Sequence, residues 1–157
     1  MTNIVAGWNR WGFVIGKANN LRGKTITVSY GSFTIKNASG EDIVLGDDRN
    51  TIYIYSTSEK SGSISSMDAK LIGYGSTKDN YYSFTVDEAF TQEYITVLFS
   101  TTTRELGDIT KYENIMIELG NKPSPYVAPL DDITQIEINQ YKTNLIPSDI
   151  YTSENWN

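Results

Sequence analysis

Five segments of this chain alternate apolar and polar residues with a period of two, and that pattern leaves few folds open. In "TITVSY", Ile26, Val28 and Tyr30 share one face while Thr25, Thr27 and Ser29 share the other. "TIYIYS" sets Ile52 and Ile54 against Tyr53 and Tyr55. "YYSFTV" sets Tyr82, Phe84 and Val86 against Tyr81, Ser83 and Thr85. "YITVLFS" sets Ile95, Val97 and Phe99 against Tyr94, Thr96 and Leu98, and "IMIEL" sets Ile115, Ile117 and Leu119 against Met116 and Glu118. Successive side chains of a strand point to opposite faces, so each segment reads as a strand with one face to bury. Weaker strand signals lie at 3–6, 11–17, 33–36, 42–45 and 70–75. Turns rich in Gly, Asn, Asp and Ser separate them. About ten short strands at this spacing predict an all-β, antiparallel sandwich or barrel. One apolar and one polar face per strand favours two sheets sharing a core, each with a wet outer face. Short helical turns are expected within 63–73 and 86–94.

Composition removes whole classes of function. The net charge of -6 leaves no cationic footprint for nucleic acid, and it disfavours anionic membranes. The absence of cysteine and histidine excludes disulfides, thiol nucleophiles, Cys/His zinc sites and Ser-His-Asp catalysis. No run approaches the roughly 18 apolar residues of a membrane span. The N-terminal "MTNIVAGWNRW" lacks the basic and apolar regions of a signal peptide, so an extracellular role implies exit by a route such as lysis. Nineteen acidic residues make carboxylate pairs unavoidable. The small size, the missing histidine and the lack of a long catalytic loop nevertheless predict a protein that is not an enzyme.

The stretch "YENIMIELGNKPSPYVAP" (112–129) reads as a strand, a glycine turn and a proline-stiffened exit. Tyr126 and Val127 can fold back on the domain's edge, making a latch. Asn114, Ile115, Glu118, Gly120, Tyr126 and Pro129 resemble the closing motif of carbohydrate-binding-module-like jelly rolls from tail and baseplate proteins of phages that infect Gram-positive bacteria. "LRGKTITVSY" (21–30) resembles an early strand of the same modules. The resemblance frames residues 3–129 and implies a two-sheet β-sandwich jelly roll at 3–129. Residues 130–157 form a linker or C-terminal extension, and "NLIPSDIYTSENW" echoes the start of the chain as a following module would.

The implied function is non-catalytic binding of host cell-wall or surface polysaccharide within a phage tail or baseplate, on the virion, among other tail proteins. The alternative is a structural spacer or protein-docking module of the tail. No cofactor is expected, although many such modules hold a structural calcium ion. The acidic turns at 46–50 and 40–42 offer oxygen ligands for one. Sugars are held by aromatic rings against their C–H faces and by polar groups on their hydroxyls. On that chemistry the candidate saccharide ligands are Trp8, Arg10 and Trp11 near the start, Tyr53, Tyr55, Tyr81 and Tyr94 on the polar strand faces, Asp79 at a rim turn, and Glu118. Tyr and Thr also decorate ordinary solvent-facing strands. Trp11 equally suits a core plug, and Glu118 equally suits a lock on backbone N–H groups.

Overall fold

The computed structural model describes residues 10–45, 49–60, 68–100 and 105–126. The strand signal at 3–6, Trp8, the acidic residues at 47–48 and everything from 127 onward, including the module boundary at 129/130, lie outside the described residues.

Every strand pairing among the described residues is antiparallel, and these residues are mostly β-strand with one four-residue helix. Strand β1 (Arg10–Lys17) leads into the four-residue helix α1 (Ala18–Leu21). Strands β2 (Thr25–Ser29) and β3 (Ser32–Lys36) follow, then β4 (Asn50–Thr57), β5 (Ala69–Ser76), β6 (Tyr81–Thr85), β7 (Tyr94–Ser100), β8 (Ile109–Glu113) and β9 (Met116–Leu119). They form a four-stranded sheet in the order β1-β7-β4-β5, a three-stranded sheet β6-β2-β9, and a ribbon β3-β8.

The apolar faces read from the alternation meet in one core. Ile52, Ile54, Ile95, Val97, Phe99 and Phe13 come from the four-stranded sheet, and Ile26, Val28, Phe84, Ile115 and Ile117 come from the other side. Each such side chain taken out of water contributes about 2 kcal/mol. Leu119 departs from the alternation: at the last position of β9, opposite Ile26, it is 52% exposed. The sheets approach closely where β5 passes to β6. The Tyr82 side chain lies against Gly73 and Gly75, where added Cβ atoms would come within 2.0 Å of its hydroxyl oxygen and 2.8 Å of its Cβ. Only glycine allows that approach.

Two short elements escape the pattern. Strand β8 buries Thr110 and exposes Ile109, so its apolar residue faces water and the strand carries no inward apolar signal. The ribbon docks instead through aromatics: Phe33 and Tyr112 lie 4.8 Å apart, Tyr112 and Phe99 5.1 Å, and the Tyr112 hydroxyl donates to the Ser100 carbonyl at 2.5 Å. The helix forms at 18–21, whereas 86–94 makes only turns, with the Phe90 N–H donating to the Asp87 carbonyl. The 42–45 signal yields a single bridge, Lys36 to Asp42.

Candidate functional site

The turn after β3 is held by its own side chains. Asn37 Oδ1 accepts from the Ser39 and Glu41 N–H groups at 3.0 and 2.9 Å, and its Nδ2 donates to Glu41 at 2.8 Å. Gly40, at φ 85°, completes the reversal. The returning chain bonds β3 once on each side of the bridge, Asn37 N–H to the Glu41 carbonyl and Ile43 N–H to the Ile35 carbonyl, both at 2.8 Å. There the ladder stops. Phe33, Thr34 and Ile35 on one side and Ile43, Val44 and Leu45 on the other line an open groove of about 680 Å³. Thr77, Lys78 and Asn80, from the turn between β5 and β6, border it.

The groove is amphipathic. Val44 is 88% exposed within it, and Phe33 is partly exposed while its ring leans on Tyr112 and Tyr30. Asp42, the one carboxylate among the described lining residues, is ion-paired with Lys36 at 3.1 Å. Thr77 Oγ1 accepts from the Arg49 N–H at 3.1 Å.

The residues expected to bind saccharide divide among several places. Tyr53, Tyr55 and Tyr94 share the outer face of the four-stranded sheet, whereas Tyr81 and Glu118 belong to the three-stranded sheet, so there is no single continuous Tyr/Thr surface. The outer faces are also not uniformly wet. Tyr53 and Tyr55 are 7% and 8% exposed and pack with Leu98, and Thr57 and Thr96 are buried with hydroxyls 2.7 Å apart. Arg10 closes over this group, its guanidinium 4.8 Å from the Tyr53 ring and Nη1 donating to the Tyr55 hydroxyl at 3.0 Å. Trp11 faces inward, its ring edge-on to Phe13 and beside Phe99. Tyr94 lies under Lys17 and Lys60. The carboxylate of Glu93 pairs with Lys17 at 2.6 Å. That contact lowers the pKa of Glu93 and raises that of Lys17, and hydrogen bonding to Glu93 raises that of Tyr94. Asp79 is exposed in the β5–β6 turn, with groove residues Lys78 and Asn80 on either side of it.

Glu118 is a lock. Only 2% exposed, it accepts from the Ser124 N–H at 2.6 Å and from the Ser124 hydroxyl. Beside it the Thr27 and Ser83 hydroxyls lie 2.6 Å apart and reach the Gly120 and Asn121 carbonyls at 2.8 and 3.1 Å. The segment after β9 is thereby sewn onto the polar face of the three-stranded sheet.

Among the described residues no group of three His, Cys, Asp or Glu side chains could hold a metal ion. Glu41 is engaged by Asn37 and Asp42 by Lys36. No helix among them is long and apolar enough to cross a membrane. The sequence missed Phe33, Ile35, Val44 and Lys78 because their runs read as ordinary strand and turn. Asn80 reads from the sequence as a rim residue beside Asp79, ahead of an aromatic strand, where a binding group and an ordinary hydrophilic turn look alike. Comparison with protein-family models, curated proteins and solved structures returns no significant match to this chain.

Proposed function

We propose that this domain is a non-catalytic saccharide-binding module whose ligand lies in the groove between β3 and Ile43–Leu45. The observation that carries the reading is the groove itself: an aromatic and aliphatic wall facing threonine, lysine and asparagine side chains, mounted on a packed β scaffold. Pockets of a few hundred Å³ with this mixture suit small organic ligands, and loops on rigid sandwiches concentrate binding residues. A sugar ring offers the complementary pair, apolar C–H faces and a rim of hydroxyls. Among the described residues the lining has one carboxylate, Asp42, whereas glycoside hydrolysis uses two.

The finer architecture, a jelly-roll sandwich, and the setting, a phage tail or baseplate acting on a Gram-positive cell wall, rest on the resemblance of the closing motif. Glu118 anchors the exit segment, and Asn114 and Gly120 take the positive φ values of the turns that bracket β9. Weak single sites would act together through many copies on a particle. A second reading, a docking module between tail subunits, is favoured by Leu71 and Tyr74, 44% and 52% exposed on the edge strand β5.

The test is labelling of whole cells from a panel of Gram-positive strains with the fluorescent full chain, with and without competing wall polysaccharide. Strain-specific labelling that the polysaccharide removes, and that Val44→Asp abolishes in a folded protein, supports the groove reading. No labelling on any strain, with self-association in solution, favours the docking module.

A further inference from the structure

We infer that Asn80 is the specificity-determining residue of the groove, its side-chain amide reading two neighbouring hydroxyls of one sugar residue. This rests on the groove reading above. Asn80 lines the groove and is exposed there. Its backbone stands at φ 58°, a conformation that costs free energy for any residue with a Cβ.

That conformation is clamped at both ends. The Asn80 N–H donates to the Ser76 carbonyl at 3.3 Å, and the Asn80 carbonyl accepts from the Tyr30 N–H at 3.0 Å. Tyr30 is itself fixed: it is 4% exposed, its hydroxyl lies 3.0 Å from Thr51 Oγ1, and its ring meets Tyr112 edge-on. The amide is thus carried by the core rather than by a free loop, so little ordering is lost when a ligand arrives.

Two polar neighbours are already engaged. Asp42 is paired with Lys36, and the Thr77 hydroxyl holds the Arg49 N–H. The Asn80 side chain takes no hydrogen bond among the described residues. It brings a carbonyl acceptor and two N–H donors, so one sugar hydroxyl can donate to Oδ1 while its neighbour accepts from Nδ2.

Glycine separates this role from a merely structural one, because it accepts the positive φ while removing the amide. The measurement is affinity of the full chain for a panel of purified Gram-positive wall polysaccharides, with thermal melting in parallel. Asn80→Gly is expected to melt like the wild type yet bind about tenfold more weakly, the loss of two ordinary hydrogen bonds. Asn80→Asp, which keeps acceptors and lacks the donors, should fall between. Asn80→Gly binding like wild type while Val44→Asp fails to bind overturns the inference and leaves the groove reading standing. A wild-type chain that binds none of the polysaccharides, or a Val44→Asp chain that binds normally, overturns the groove reading and this inference with it.

Discussion

Two returns of the chain onto its own strands end differently. After β9 the segment from Gly120 to Ser124 lies across the polar face of the three-stranded sheet. Thr27, Ser83 and Glu118 there take up its carbonyls, its N–H and its hydroxyl. After β3 the returning segment makes one bridge, flanked by the Asn37 N–H to Glu41 carbonyl and Ile43 N–H to Ile35 carbonyl bonds, and then parts from the strand. Where polar side chains reach across to the returning backbone, the surface closes. Beyond Ile43 no such side chain reaches across among the described residues, and a groove stays open. The outer face of the four-stranded sheet is closed in a third way, by tight packing around Tyr53, Tyr55 and Leu98.

Perturbing these regions in turn sharpens the contrast. The largest effect is expected at Gly12, where a Cβ would come within 1.9 Å of the Val97 carbonyl oxygen and 2.6 Å of Leu98 Cδ2. Both strands would have to shift, so Gly12→Ala should cost about 3 kcal/mol in denaturant unfolding. A near-neutral result would show that this face is loosely packed.

Glu118→Ala strips the seam of its buried acceptor and should cost about 2.5 kcal/mol. Glu118→Gln, which keeps one acceptor oxygen, should recover part of that. Increased proteolysis near Lys122 is the second readout. Unchanged stability in Glu118→Ala would mean the exit segment is held by something other than its carboxylate.

Tyr112 tests the ribbon that forms one wall of the groove. Burial raises its phenol well above the ordinary tyrosine value. A raised folded-state pKa means the folded protein keeps its proton longer than the unfolded chain. Stability is therefore complete below about pH 10 and falls as the pH climbs beyond it. Tyr112→Phe should remove that alkaline loss while costing about 1 kcal/mol at neutral pH, since the Ser100 carbonyl loses its donor. Identical alkaline unfolding curves for the two proteins would sink the assignment.

The smallest effect belongs to the return after β3. Asp42→Asn breaks an exposed ion pair and should change stability by no more than about 0.5 kcal/mol. A loss comparable to that of Glu118→Ala would mean that the two returns are equally locked.

Much of this architecture was legible in the residues. The alternation in β2, β4, β6, β7 and β9 names the core members apart from Leu119, because a strand's period of two states directly which side is apolar. "IELGNKPS" announced the end of a strand, and β9 stops at Leu119. Strand β8 was hidden because Ile109 points to water and Thr110 inward. The candidate site was harder to read. Tyr53, Tyr55 and Glu118 looked like a polar surface but are buried, whereas Phe33 and Val44, read only as parts of weak strands, line an open groove.

By itself, then, the sequence determined the strands, their apolar faces, the turn glycines and the anionic, histidine-free chemistry. These are local properties, written in spacing and residue type. Only the tertiary structure decided which strands share a sheet, which outer faces are covered and where a ladder stops short. Those outcomes depend on partners tens of residues away, such as Thr27 with Gly120 or Tyr30 with Asn80, and no local pattern encodes them.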